Sequence, residues 1–105
     1  MNRLALAALN STIDDYESVT SVREQLAAFL GEPISEESLF AAFRALEAQG
    51  LLEAHRASVD GQALVRTAIT DTDVPADIWF YATSAGRQLV DREWDKLFQS
   101  RRLEK

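Results

Sequence analysis

Apolar residues recur every three or four positions through the first half of the chain, which is the period of a helix that buries one face. This pattern predicts three helices, over residues 2–10, 21–30 and 35–50. Ser21 and Glu24 have the spacing of a capping box at the start of the second helix, and Ser35 is suited to cap the third. Only residues 32–35 separate these two helices. Such a short connection is typical of a helix-turn-helix.

Beyond the third helix, the period shortens toward the alternation of β-strands. Segments 51–59 and 62–69 flank the dipeptide Asp60-Gly61, which is a strong signal for a tight hairpin turn. A polar, acidic loop follows over residues 70–76. The aromatic run 78–81 is rich in residues that favour strands, and it predicts a third strand.

Ser84 is expected to cap a last helix that continues to about Arg102. An apolar stripe on this helix predicts contact with a second copy of the chain, and it consists of Leu89, Val90, Trp94, Leu97 and Phe98. Together the elements predict an α+β fold: a winged helix-turn-helix with a three-helix core, a β-hairpin wing and a long C-terminal helix. We expect a single domain over residues 1–105, with the helix-turn-helix and wing in 1–83 and the dimerising helix in 84–105.

The composition is that of a globular protein, since 47% of the 105 residues are apolar. The chain has no cysteine, which excludes disulfides and thiolate metal sites and fits the reducing cytoplasm, where we expect the protein to act. The apolar run 4–9 is too short for a membrane span and lacks the pattern of a signal peptide. We therefore expect no association with a membrane.

Candidate chemistry is sparse. His55 is the only histidine of the sequence, and a single imidazole without cysteine cannot form the usual zinc site. Asp71, Asp73 and Asp77 lack the glycine and the following glutamate of a calcium-binding loop, so a solvated acidic loop is the simpler interpretation. The sequence contains no nucleophile elbow and no phosphate-binding glycine loop. We expect no enzyme activity, no cofactor and no metal.

Charge is distributed unevenly along the chain. The formal net charge is −6, and an acidic protein repels nucleic acid, whose binding depends on lysine and arginine. Only the C-terminal segment, residues 86–105, carries a net positive charge. Charge thus opposes DNA binding, although the predicted fold is one that commonly binds DNA.

Two segments of the sequence resemble the PadR-like family of bacterial transcription regulators. Residues 38–53, SLFAAFRALEAQGLLE, are similar to the third helix of that family and its Gly-Leu exit into the wing. Residues 79–87, WFYATSAGR, resemble its last wing strand and the turn that begins its C-terminal helix. The MarR-like winged-helix family shares parts of both. The resemblance implies a homodimer joined through the C-terminal helix, with each third helix in a DNA major groove. The segment between the two matches is long for the family, and residues 64–69 could be an extra strand instead of a simple wing tip.

The candidate DNA-binding residues are polar, small or basic positions on the third helix, the wing and the last helix, namely Ser35, Ser38, Ala41, Arg44, Arg56, Arg66 and Arg87. Arg44 could donate to guanine or to phosphate, or could be a solvated residue on a core helix. Arg56 and Arg66 could hold phosphates or lie on a solvated hairpin. Arg87 could bind phosphate at the start of the last helix or pair with a nearby carboxylate.

Three functional hypotheses remain open. The first is a homodimeric transcription regulator that binds double-stranded DNA. The second is an acidic winged-helix module that binds a basic protein and no DNA. The third is a subunit of a larger complex that uses its last helix for assembly. Trp79, Phe80 and Tyr81 could line a small-ligand pocket with Trp94, although a core or dimer seam explains them more simply, and the sequence indicates no particular effector.

Overall fold

The computed structural model describes residues 1–70 and 72–98 of the chain. Within these residues the elements follow the predicted order of a winged helix-turn-helix of the α+β class. They are α1 (Arg3–Ser11), α2 (Val19–Leu30), α3 (Glu36–Ala48), β1 (Leu52–Ala57), β2 (Leu64–Arg66), a 3₁₀ turn (Pro75–Asp77), β3 (Trp79–Ala82) and α4 (Ser84–Phe98). The predicted extension of the last helix to Arg102 lies outside the described residues. No helix in the described part of the chain combines the length and the apolar character needed to cross a membrane.

The start of α2 differs from the prediction. Ser18, and not Ser21, is the capping residue: its hydroxyl oxygen accepts from the backbone N–H of Ser21 at 3.1 Å. In return the hydroxyl oxygen of Ser21 accepts from the backbone N–H of Ser18 at 2.8 Å. The box therefore closes with a serine at the third helical position, where glutamate or glutamine is usual. That substitution is why the pattern Ser21 to Glu24 was misleading.

The start of α4 also lies one residue away from its predicted cap. The hydroxyl of Thr83 accepts from the backbone N–H of Gly86 at 3.1 Å, which makes Thr83 the cap and Ser84 the first helical residue. Thr83 is fixed in turn by the end of the α3–β1 connection. Its N–H donates to the carbonyl of Leu51 at 3.0 Å, and its hydroxyl donates to that of Gly50 at 2.8 Å.

The hairpin is shorter and its loop is wider than predicted. β1 and β2 pair from His55 with Arg66 to Ala57 with Leu64, so residues 58–63 form the connection instead of Asp60-Gly61 alone. The N–H of Ser58 donates to the carbonyl of Ala63 at 2.8 Å, and Gly61 adopts a left-handed φ of 74° inside this loop. The predicted second arm over 62–69 is thus reduced to the three residues of β2.

The sheet is antiparallel, with strand order β2-β1-β3 among the described residues. Beyond β3, the linker between α1 and α2 closes the edge through one residue. The N–H of Glu17 donates to the carbonyl of Phe80 at 3.0 Å, and the N–H of Phe80 donates to that of Glu17 at 2.8 Å. The edge of β3 is therefore paired, whereas β2 forms the other edge of the sheet.

The core lies between the helices and the inner face of the sheet. Phe43 of α3 stacks on Phe80 of β3, with ring centroids 4.5 Å apart, and this contact sets α3 against the sheet. Both side chains are fully buried, as is Trp94 of α4. Removing such aromatic surface from water is the main stabilising term of a domain of this size. The packing fixes which face of α3 remains at the surface.

Candidate nucleic-acid interface

Helix α3 presents one apolar face to the core and one face of short or acidic side chains to solvent. Its buried positions are Leu39, Phe40, Phe43 and Leu46, at the three- and four-residue steps of a helix. The exposed positions are Glu36, Glu37, Ser38, Ala41, Ala45 and Ala48. Because alanine and serine are short, the backbone of α3 can approach another surface closely along this face.

Ser35 and Ser38, both predicted to contact DNA, form the cap of α3. The N–H of Ser38 donates to the hydroxyl oxygen of Ser35 at 3.0 Å, and the Ser35 hydroxyl donates to that of Ser38 at 2.9 Å. Both side chains are exposed. Ser35 has therefore used its donor within the cap, whereas the hydroxyl proton of Ser38 is left to reach an external acceptor.

Two exposed side chains and one half-buried side chain line a shallow groove together with Phe40. They are Glu37, Ala41 and Arg44, and the groove has a volume of ≈ 370 Å³. The guanidinium carbon of Arg44 lies 6.0 Å from the centre of the Phe40 ring, which supports the side chain from below. Two of the predicted contact residues, Ala41 and Arg44, are thus brought together. Glu37, which also lines this groove, is not among the predicted contact residues.

The two wing arginines are each held by a carboxylate of the same chain. Arg56 donates to the hydroxyl of Thr67 at 3.0 Å and to Asp73 Oδ1 at 2.8 Å. Arg66 forms an ion pair with Glu53 at 3.2 Å, and its side chain remains 70% exposed. Both lie on the wing as predicted, but Arg56 ties β1 to the loop that follows β2. Arg66 is the more accessible of the two.

Asp73 is the anchor of that loop. The backbone N–H of Thr70 donates to Asp73 Oδ2 at 2.7 Å and, together with the hydrogen bond from Arg56, holds the pKa of this carboxyl below its ordinary value. Asp73 therefore remains charged through the physiological range. A phosphate that binds Arg56 would have to displace a charged and hydrogen-bonded competitor.

Arg87 projects from α4 toward the linker between α1 and α2. Its guanidinium donates to the carbonyl of Ile13 at 3.0 Å, and the guanidinium carbon lies 5.0 Å from the centre of the Tyr81 ring. Tyr81 stacks in turn on Tyr16 at 4.8 Å. The observed partners are thus a carbonyl and an aromatic ring, where the sequence suggested a phosphate or a carboxylate. This geometry gives Arg87 a clear structural role.

The apolar stripe of α4 divides between core and surface. Val90, Trp94 and Phe98 are buried within their own chain, and Trp94 packs on Phe98 with ring centroids 4.4 Å apart. These three side chains are therefore not offered to a second copy in this structure. Leu89 and Leu97 are half-buried, so dimerisation through α4, which stays a prediction, depends on them.

A second groove, of ≈ 470 Å³, lies where α1, α3 and α4 meet. The small side chains of Ala5, Ala42 and Ala45 line it on α1 and α3, and Leu89 and Glu93 line it on α4. This groove could not be predicted from the sequence, because it depends on how three helices pack. The alanines at three- and four-residue spacing were the available signal.

His55 lies on the outer face of the sheet and is nearly buried. The ring of Tyr16 meets it edge to face at 4.9 Å, and its Nδ1 has no hydrogen-bond partner among the described residues. No group of three or more His, Asp or Glu side chains in the described part of the chain could hold a metal ion. Asp71 of the predicted acidic loop lies outside that part.

The geometry places the chain in the winged helix-turn-helix class. No family model and no curated protein matches the sequence. Among solved structures, the chain is similar in fold to Bacillus subtilis PadR in complex with operator DNA, with a TM-score of 0.61 and 17% sequence identity. The likeness covers 100% of this chain and 51% of that PadR chain, so the chain spans about half the length of its structural neighbour. The fold is PadR-like, as the sequence resemblance implied.

Proposed function

We propose that the protein is a DNA-binding transcription regulator of the PadR-like winged-helix type that acts as a homodimer. The observation that carries the proposal is the likeness of the whole chain to a PadR whose structure was determined with operator DNA. A regulator of this kind would act in the bacterial cytoplasm as a single domain over residues 1–105. Its partner would be double-stranded DNA, and the chain indicates no particular effector.

In this proposal α3 enters the major groove. Its exposed face of alanines and serines lets the backbone approach the bases, and Arg44 supplies the donor that reads guanine. Ala41 lies beside Arg44 in the same groove of the protein surface. The hydroxyl of Ser38 donates a hydrogen bond to the DNA backbone, and Ser35 contributes by capping the start of α3.

The phosphate contacts come from Arg66, Arg56 and Arg87. Arg66 is the most accessible and exchanges Glu53 for a phosphate at little cost, because exposed ion pairs are weak. Arg56 and Arg87 would have to leave Asp73 and the carbonyl of Ile13. We therefore expect Arg66 to contribute most to affinity, and the other two to contribute less than their charge suggests.

Dimerisation is proposed through the accessible side of α4. Leu89 and Leu97 are the sixth and fourteenth residues of the 15-residue helix, and the protomer leaves both half-buried. Val90, Trp94 and Phe98 support this surface from the core behind it. A two-fold dimer would place two copies of α3 on successive turns of the same DNA face.

The test is fluorescence anisotropy of the purified protein with DNA from upstream of its own gene and with random duplex, from low to physiological salt. The logarithm of the affinity falls with the logarithm of salt with a slope of about −0.9 per phosphate contacted. Six released arginines in a dimer give a slope of about −5, whereas the two copies of Arg66 alone give about −2. The slope thus reports whether Arg56 and Arg87 leave their internal partners.

The variants Arg66→Ala and Arg44→Ala distinguish contacts to phosphate from contacts to bases. Arg66→Ala should weaken binding to both duplexes equally and reduce the slope, because a phosphate contact carries no sequence information. Arg44→Ala should reduce the preference for the upstream DNA. Binding to neither duplex at low salt, by a protein that light scattering shows to be a folded dimer, would refute the proposal.

One observation favours a second candidate, the acidic module that binds a basic protein. Both wing arginines are neutralised within the chain, and the first turn of α3 adds Glu36 and Glu37 to the surface that DNA would approach. Such a surface complements a positively charged partner. The anisotropy titration decides between the two, because the module would bind no DNA at any salt concentration.

A further inference from the structure

We propose that Glu37 is a specificity-determining residue that selects cytosine, and that it makes the protein prefer a half-site in which this cytosine lies about three base steps from the guanine read by Arg44. The inference rests on the proposed function and deepens it. It explains how an acidic side chain can lie on a helix that enters the negatively charged groove of DNA.

The position of Glu37 is set by the helix. Residues 37, 41 and 44 follow the steps of four and three residues that place side chains on one face of a helix. The same three line the groove on the exposed side of α3, supported by Phe40. Glu36 is also exposed, but it is turned by about 100° around the helix and does not line that groove. Any duplex that Arg44 contacts therefore meets Glu37 as well.

The chemistry of a carboxylate then restricts the base. An ionised glutamate can only accept hydrogen bonds. In the major groove, cytosine offers a donor at N4, guanine offers acceptors only, and adenine offers a donor beside the acceptor N7. Cytosine is thus the one base that Glu37 can contact without facing a neighbouring acceptor on the same base. Guanine and thymine offer the carboxylate no donor, and adenine offers its donor only beside the repelling N7 acceptor.

The spacing follows from helix geometry. Seven residues at a rise of about 1.5 Å separate Glu37 from Arg44 by about 10 Å along the helix axis. This is close to three base steps of about 3.4 Å when the helix follows the groove. Ala41 lies between the two, and its methyl group suits the methyl of thymine. The expected half-site has cytosine and guanine at its ends and favours thymine between them.

The experiment is selection from a library of random duplexes with three proteins: the wild type, Glu37→Gln and Glu36→Gln. Both variants remove one negative charge from the exposed first turn of α3, so they change the overall electrostatics equally. Glutamine pairs with adenine through a donor and an acceptor. Glu37→Gln should therefore change the preferred base at one position from cytosine to adenine, whereas Glu36→Gln should enrich the wild-type motif.

Anisotropy with the best duplex and its single-base variants gives the size of the effect. We expect the wild type to prefer cytosine over adenine by roughly fivefold or more at that position, and Glu37→Gln to lose or invert the preference. Identical motifs from all three proteins would overturn the role of Glu37 and leave DNA binding intact. No enrichment by any of the three at low salt would overturn the proposed function, and this inference with it.

Discussion

Gly86 lies in the first turn of α4, where the helix passes directly over the end of the α3–β1 connection. A Cβ atom added at this position would be 2.0 Å from the carbonyl oxygen of Leu51 and 3.1 Å from Cδ1 of Leu9. The first neighbour is backbone, and that same carbonyl accepts the N–H of Thr83 at 3.0 Å. The substitution Gly86→Ala therefore forces α4 away from the segment that positions its cap.

The expected magnitude combines opposing effects. Alanine is favoured over glycine inside a helix by about 1 kcal/mol. Overpacking costs about 1–3 kcal/mol or more, and losing the two hydrogen bonds of Thr83 to Leu51 and Gly50 costs about 1 kcal/mol each. We expect a net loss of about 2–4 kcal/mol in the free energy of unfolding. For a domain of this size, that lowers the melting temperature by roughly 10 °C or more.

The assay is urea and thermal unfolding followed by circular dichroism, with Gly50→Ala as the matched control. Gly50 has a left-handed φ of 74°, and a Cβ there would meet nothing within 4 Å. Its replacement therefore introduces backbone strain of about 1–2 kcal/mol without a clash. If Gly86→Ala proves neutral or stabilising, as helix propensity alone predicts, the close packing of α4 on Leu51 is wrong.

Three further predictions concern the cap, the wing and the dimer. Thr83→Val should lower the free energy of unfolding by about 1–2 kcal/mol while Thr83→Ser retains most of it, because only serine keeps the capping hydroxyl; urea unfolding measures both. Asp73→Asn should reduce stability at neutral pH. Since its partners depress the pKa of Asp73, the stabilisation is present above the pKa of the unfolded chain and is lost as the pH falls through the lower pKa of the folded chain. The urea midpoints of variant and wild type should therefore converge as the pH falls below the ordinary range of an aspartate carboxyl; a constant separation would contradict the assignment. Leu97→Ser should yield folded monomers in light scattering, and a Leu97→Ser dimer would exclude this side of α4 as the interface. Trp94→Ala should instead lower the free energy of unfolding by about 3–5 kcal/mol, because it leaves a cavity in the core.

The boundaries of α3 show how far local patterns reach. Its cap at Ser35 and its end before Gly50 were predicted from residues within a few positions of each other. The cap of α2 was misplaced because Ser18 and Ser21 form a box with an unusual partner. The wing was misjudged for a related reason. Asp60-Gly61 signals a turn, but the length of the loop depends on where the strands stop pairing.

The candidate site could be predicted less well than the helix boundaries, because its side chains contact residues that are distant in sequence. Arg56 finds Asp73 seventeen residues away, and Arg87 finds the carbonyl of Ile13 across 74 residues. No spacing rule relates such pairs. An arginine that the sequence offers for DNA binding can therefore be held by a distant partner within the folded chain. The spacing of Glu37, Ala41 and Arg44 places them on one face of α3, but only the packed helix shows that they line a groove with Phe40.

The sequence by itself determined the number and order of the α-helices and β-strands in the described residues, because helix period, capping and β-propensity depend on neighbouring residues. It also determined that α4 has an apolar stripe. The tertiary structure decided which side of that stripe belongs to the core, burying Val90 and Trp94 and leaving Leu97 half-buried. The physical reason is that burial and ion pairing are properties of surfaces brought together by packing, and the period of a single helix does not specify what lies opposite it.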